Sequence, residues 1–406
     1  MWINRLRNLW SAGPFPVAAS PNLAELEQSV CLRNINMDLT RKQKRVLICY
    51  ISDQFFRAKE ELLFHSNRFE ACQIIRVFIE MDYAIDVVWP LSDDKQIEKT
   101  NYDIVFGFGP VYLRASQSNT DAVKILYLTE NNPGVAAGKF RERVEYYYER
   151  NKIRKTGIPR NQFYTLSQFE ISDYGILKNS SQNAESSKSY FKNSYLIKTT
   201  GMRHHAFCIH KEKNMESARK HFLWLGSGGA IHKGLDLLLE VFGELPDVTL
   251  HICGLDAAEE DLVADFKSEN IINHGFISID SSEFLDVIVS KCAFVIMPSC
   301  SEGISNSVVT GMMHGLIPVV TPECGIEMDY DTGFVLESYK TGYIRDVVIR
   351  LSALPSKKLK SMRHNAYVLA QKEFTLDKFT RDFKNIMYKI VSHAELSKNK
   401  YCNAKL

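Results

Sequence analysis

Long hydrophobic runs are missing from this 406-residue chain: no apolar stretch approaches the roughly 20 residues that a membrane-spanning helix requires. An excess of one charge sign is missing as well. Fifty Lys and Arg stand against 48 Asp and Glu, a net charge of +2. A dedicated nucleic-acid binder carries a basic patch or stripe, so that class is excluded. The nine cysteines include no C-x-x-C pair. Cys49, Cys253 and Cys292 stand in or beside apolar strands and read as reduced, buried thiols, which points to a cytoplasmic protein. The first ten residues lack the apolar core of a signal peptide. They do place Trp2, Leu6, Leu9 and Trp10 at helical spacing among two arginines. Two uses of that pattern stay open: a helix packed on its own domain, or a peripheral contact with the inner face of a membrane. No G-x-G-x-x-G follows the first strand. Nor is there a Walker A loop, since Lys233 is followed by glycine rather than Ser or Thr.

What is present is an alternation of strands and helices in a chain long enough for two cores. Arg45 to Ile51 reads as a first buried strand, followed by strands over Tyr83–Trp89, Asp103–Phe108 and Lys124–Leu128 with helices between them. A helix from about Asn67 to Met81 opens with Asn67 and Glu70 spaced as a capping box. Val144 to Glu149 reads as helix surface, and Asn179 to Lys192 as a polar, loop-rich stretch with serines concentrated at 180–189. A second set starts at His221–Leu225, after a linker over Met202–Lys220. The expected division is a leader at 1–42, a first doubly wound domain at 43–205, a second at 215–375, and a terminal helix and tail at 376–406.

The richest segment runs from Ala293 to Val320. Ala293–Met297 is an apolar strand ended by Pro298, and Ser305, Asn306 and Ser307 are helix-start residues. Gly315 and Pro318 mark a helix stop and a new strand. This arrangement presents a helix N-terminus where an anion would sit. Glu302 stands at its mouth as a hydrogen-bond acceptor for hydroxyl groups. Upstream, strand His221–Leu225 runs into Gly226, Ser227, Gly228, Gly229 and then His232-Lys233-Gly234. Glycines there allow close backbone approach to a phosphate. Lys233 at a helix start is electrostatically awkward for a cation unless an anion binds beside it.

Pro298-Ser299-x-x-Glu302-Gly303 with Gly315-x-x-Pro318-Val319-Val320, the Gly226–Leu239 loop and helix, and the strands at 250–254 and 272–277 resemble, in order and spacing, the retaining glycosyltransferases of family 4 (group 1). The resemblance covers roughly Phe222 to Leu336. It implies the GT-B fold: two Rossmann-like α/β domains facing a cleft, with a terminal helix crossing back to the first. It further implies a nucleotide-diphosphate sugar as donor, a glycan or lipid-linked glycan as hydroxyl acceptor, no cofactor and no bound metal. The natural setting is bacterial surface polysaccharide or O-antigen assembly. Other readings of the same architecture are a nucleotide-sugar epimerase or hydrolase, and a non-catalytic partner subunit.

By resemblance Glu302 contacts the donor sugar and Lys233 the diphosphate. Gly226, Ser227, Gly228, Gly229, His232, Gly275, Phe276, Gly303, Ile304, Ser305, Asn306 and Thr310 are the remaining donor-side candidates. Two positions depart from the family pattern. Its second glutamate falls on Thr310, and its clamping arginine falls on Ser227 or Gly228, for which His232 is a partial substitute. In the first domain, His65 stands where the family has a glycine-rich loop, and it reads equally as a surface histidine beside a helix cap. Glu130 ends an apolar strand on the ligand-bearing edge and is a candidate base. Asp329-Tyr330-Asp331 reads as a turn, and His204, His205, Cys208 and His210 as a linker cluster without metal geometry.

Overall fold

The computed structural model describes residues 31–52, 66–153, 155, 163–264, 266 and 268–403. His65, Trp2, Leu6, Leu9 and Trp10 lie outside the described residues. Two sheets organise the chain. The first has seven strands: β1 (Cys31–Ile35), β2 (Arg45–Cys49), β3 (Ala84–Val88), β4 (Ile104–Gly107), β5 (Val123–Leu128), β6 (Tyr174–Leu177) and β7 (Asn193–Leu196). Their spatial order is β1-β3-β2-β4-β5-β6-β7. All pairings are parallel except β1 with β3, which is antiparallel. The end of the expected leader thus supplies an edge strand.

The second sheet contains β8 (His221–Leu225), β9 (Thr249–Cys253), β10 (Ile271–Asn273), β11 (Phe294–Met297), β12 (Ile317–Val320) and β13 (Phe334–Val335). Its order is β10-β9-β8-β11-β12-β13, parallel throughout. Strands β2, β4 and β11 are apolar nearly end to end because helices cover both faces of each sheet. The order reverses direction at β8/β11, the crevice where open α/β sheets bind ligands beyond the carboxyl ends of their strands.

The terminal helix Leu376–Asn403 returns to the first sheet, where Phe379, Phe383, Ile386, Met387 and Ile390 join its core. Phe383 meets Phe106 edge-on at 5.6 Å. This is the GT-B arrangement, two doubly wound domains with a returning helix.

Three local expectations are revised. Ser181–Lys188 is a helix, capped by Ser180 accepting from Asn183 N at 3.1 Å, not a loop. The 144–149 stretch is no free surface. It belongs to helix Pro133–Asn151, whose Lys139, Arg143, Tyr146 and Arg150 form one stripe against the second domain. Lys139 pairs with Glu323, and Arg143 donates to the Pro298 carbonyl at 2.9 Å. Tyr146 packs on Tyr339, and Arg150 reaches Asp236 at 2.5 Å and Glu240 at 2.7 Å. Finally, Asn67 and Glu70 form no capping box in the helix Ser66–Glu80. Their side chains bond across the molecule instead, as described below.

Candidate functional site

The cleft between the sheets holds a cavity of about 240 Å³ and opens to solvent. Its second-domain wall is made by the loops after β8 and β11. Gly226 and Ser227 follow β8, and a Cβ on Gly226 would lie 2.5 Å from the Trp224 ring, so only glycine fits. Lys233 lines the cleft with its Nζ 3.4 Å from Ser227 Oγ. The loop after β11 is fastened to this one: Cys300 N donates to the His232 carbonyl at 2.9 Å. Ser299 Oγ lies within reach of both that carbonyl, at 3.3 Å, and Glu302 Oε1, at 3.1 Å. Glu302 is thereby buried and oriented at the cleft wall, its N–H tied to the Glu323 carbonyl at 3.1 Å. Ile304, Ser305, Asn306, Ser307 and Thr310 continue the wall. Helix Asn306–Met313 starts at Ser305 without a side-chain cap, so its leading N–H groups are left for solvent or an anion.

Gly303 brings the backbones of the two domains together. A Cβ there would stand 2.5 Å from the Thr129 carbonyl and 2.6 Å from that of Lys178. On the first-domain side the cleft is lined by Ser66, Asn67, Thr129, Glu130 and Lys178. Glu130 follows β5, and its turn is held by the Tyr164 hydroxyl. That hydroxyl accepts from Thr129 N at 2.9 Å and donates to the Tyr127 carbonyl at 3.0 Å. Phe276, 69% exposed, forms the opposite rim with Ile277 and Ile279. Gly275 supports that rim through its carbonyl, which accepts from Gly254 N at 2.8 Å.

Several proposed site residues do other work. The amides of Gly229 and Ala230 donate to the Glu259 carboxylate at 2.7 and 3.0 Å, and Gly228 abuts Asp256 and Glu259. Neither Gly228 nor Gly229 lines the cleft, because an internal carboxylate holds the anion-binding face of the glycine loop. The His232 ring donates from Nε2 to the Ser301 carbonyl, which braces the Glu302 loop and takes the ring off the cleft wall. Thr310 does line the cleft, yet its Oγ1 accepts from Met202 N at 3.2 Å and so holds the interdomain segment.

Behind it, His314 Nδ1 donates to the Thr310 carbonyl at 2.8 Å and its Nε2 accepts from His204 N at 3.0 Å. Both ring nitrogens are used in the neutral form, and burial holds the His314 pKa down at about 4. The linker cluster divides differently from its sequence grouping. His204 and His205 stack at 4.5 Å and group with Asp280, 3.1 Å from His205 Nδ1. Cys208 and His210 are not part of that group.

Lys178 lines the cleft and was not among the candidates read from the sequence. The signal that was available there, a charged side chain directly after the apolar run Tyr174–Leu177, is of the kind that singled out Glu130. Glu70, Ser66 and Asn67 gave no such signal, since only the fold brings their helix to the cleft.

Residues 219–353 match the family model described as glycosyl transferases group 1. No curated protein matches the chain significantly. Among solved structures, the sucrose-phosphate synthase of Thermosynechococcus elongatus is similar over 87% of this chain and all of its own, at 12% identity and a TM-score of 0.57. Anabaena HepE, solved with UDP and glucose, is similar over 86% of this chain and all of its own, at 12% identity and a TM-score of 0.54. The pneumococcal O-GlcNAc transferase GtfA, solved with UDP and GlcNAc, is 16% identical over 72% of this chain, with a TM-score of 0.48. The chain spans 56% of GtfA's length. At such identities the first two likenesses establish a shared fold.

Proposed function

We propose that this chain is a glycosyltransferase that moves a sugar from a nucleoside-diphosphate sugar to a hydroxyl acceptor with retention at the anomeric carbon. The observation that carries the reading is the convergence of Lys233, Glu302 and an uncapped helix N-terminus on one cleft wall, inside the region that matches the group 1 model. UDP in the HepE structure supports a nucleotide donor.

The second domain holds the donor. Glu302 accepts hydrogen bonds from sugar hydroxyls, while Lys233 and the leading N–H groups of the Asn306–Met313 helix face the diphosphate. No resident metal is invoked, because these groups meet the negative charge themselves. The bond from the anomeric carbon to the phosphate oxygen breaks, and the acceptor oxygen bonds to that carbon on the same face. The acceptor's proton passes to the departing phosphate. Positive groups around the leaving phosphate lower the barrier by stabilising the charge that develops there. Glu130, on the facing wall, orients the acceptor hydroxyl. The acceptor belongs to a surface glycan or a lipid-linked glycan, and the reaction takes place in the cytoplasm, at or near the membrane face. Among the described residues, no helix is long and apolar enough to cross a membrane.

Incubation with a panel of UDP-, GDP- and TDP-sugars, followed by titration calorimetry and product analysis, tests the proposal. Binding of one donor class, with its sugar transferred to an acceptor, supports it. Failure to bind any of them refutes it. Sugar release to water alone with every acceptor would instead indicate a hydrolase.

A further inference from the structure

The diphosphate clamp just described draws a single side-chain cation, Lys233, from the second domain. The arginine position of the resembling family holds Ser227 or Gly228, and the neighbouring loop amides of Gly229 and Ala230 are bound to Glu259. A further positive group reaches the cleft from the other side. Lys178 directly follows β6, is only 2% exposed, and nevertheless lines the cleft. Its Nζ donates to Asn67 Oδ1 at 2.9 Å and to Glu70 Oε2 at 3.1 Å. An ammonium has three protons to donate, so these two bonds leave one for the space it lines.

Two features separate this lysine from an ordinary buried ion pair. First, Lys178 is not the only partner of Glu70. The other carboxylate oxygen, Oε1, accepts from Thr199 Oγ1 at 3.1 Å and from Thr200 N and Oγ1, both at 2.9 Å. Second, Asn67 Oδ1 also accepts from Asn306 Nδ2 at 2.8 Å. The Lys178 ammonium therefore stands one shared oxygen away from the first residue of the uncapped Asn306–Met313 helix, the end at which an anion is favoured. The Lys178 backbone carbonyl meanwhile touches Gly303, next to Glu302.

We propose that Lys178 is the second cation of the diphosphate clamp, a first-domain lysine that binds the terminal phosphate of the donor opposite Lys233. The proposal rests on the donor reading above and extends it. The clamp is complete only while the two domains meet, so full stabilisation of the leaving diphosphate is available only in the closed, water-excluding cleft. Selectivity for a diphosphate over a monophosphate then depends in part on Lys178, because a nucleoside monophosphate lacks the terminal phosphate that it binds.

The test is titration calorimetry with UDP, GDP and TDP beside UMP, GMP and TMP. The wild type is compared with Lys178→Met, which keeps the stem, and with the double variant Glu70→Gln/Lys178→Met, which leaves no buried charge unpaired. The expected result is that both variants lose at least tenfold in affinity for the preferred diphosphate and stay within threefold for its monophosphate. Lys178→Arg should recover part of the loss. Recovery of wild-type diphosphate affinity in the double variant would show that Lys178 serves only to neutralise Glu70, and would overturn the proposal. An equal loss for mono- and diphosphate, or no loss at all, overturns it as well. Wild-type protein that binds none of the six nucleotides refutes the donor reading itself. That failure is read before any variant is made, and it removes the basis for a clamp.

Discussion

The two walls of the cleft are built on opposite plans. On the second-domain wall, the groups that line the cleft come from two short loops at the switch point of one sheet. Each is oriented by neighbours close in sequence: Glu302 by Ser299, Lys233 beside Ser227. On the first-domain wall, the charged groups are assembled from segments far apart in the chain. Lys178 is held by Asn67 and Glu70, and Glu70 in turn by Thr199 and Thr200, while Asn306 reaches in from the second domain through Ser66 and Asn67. The first plan fixes chemistry within a domain and tolerates domain motion. The second makes the wall depend on how the domains meet, so closure and charge placement become a single event.

The largest expected effect comes from Glu302→Gln, which keeps the shape of the local wall and removes its charge. Sugar transfer should fall on the order of 10²–10³-fold, as for loss of one preorganised electrostatic contact, with bare-nucleotide affinity little changed. Comparable loss of bare-nucleotide binding would move Glu302 to the phosphate or ribose and break the plan drawn for that wall.

Gly303→Ala attacks the meeting of the walls alone. Its Cβ would press on two backbone carbonyls that cannot step aside. A penalty of about 1–3 kcal/mol for such overpacking should lower transfer by roughly tenfold or more. Nucleotide affinity should hold within a few fold, because each wall is left intact. Steady-state kinetics set against calorimetry decides it: full activity would show that the contact is not needed for turnover.

Lys233→Ala removes the local cation. The expected loss in nucleoside-diphosphate affinity is about 1.5–3 kcal/mol, the range for a hydrogen bond to a charged group. Unaltered binding would take Lys233 out of the clamp.

Thr310→Glu sharpens the comparison from the linker side. The resembling family has a carboxylate there, but here the hydroxyl receives Met202 N in a buried setting. Loss of that bond and overpacking should cost about 1–3 kcal/mol of stability without tightening nucleotide binding. A denaturant melt together with titration tests both halves, and tighter binding with faster turnover would mean that the position still faces the ribose.

The smallest effect is a pH dependence. His314 is held at a pKa of about 4 and His251 at about 3, both by burial, below the ordinary histidine value of 6.5. As pH falls, the unfolded chain takes up protons before the folded one. The stability contributed by these neutral rings is therefore fully present above about pH 6.5 and is lost as pH falls towards their folded values. Melting temperature should drop by a few degrees between pH 7 and pH 5, with a flatter profile in His314→Gln. A melting temperature that rose on acidification would contradict this.

Legibility followed the same division as the walls. The parallel sheets were readable because buried strands such as Val46–Cys49 and Phe294–Met297 are apolar throughout, and alternation with helices dictates a doubly wound fold. Glu302 and Lys233 were readable because strand, loop and helix start are contiguous around each. The helix at Ser181–Lys188 was not, since its polar sequence shows little apolar periodicity and the signal lay in the Ser180 cap. The stripe Lys139, Arg143, Tyr146, Arg150 has helical spacing but the composition of a solvated face. Only contact with the Pro298 carbonyl, Tyr339, Asp236 and Glu240 turns it into an interface.

What the sequence by itself determined was the alternation of strands and helices, the fold class, and the second-domain loop residues Glu302 and Lys233 that line the cleft. What only the tertiary structure decided was the partner of each polar group. Glu70 could have capped its own helix, but in the fold it binds Thr199, Thr200 and Lys178. The glycine-loop amides could have met a phosphate, but they meet Glu259. A hydrogen-bonding group carries its capacity in the sequence, whereas its partner is whichever complementary group the packed chain brings within about 3 Å, and burial makes that pairing compulsory.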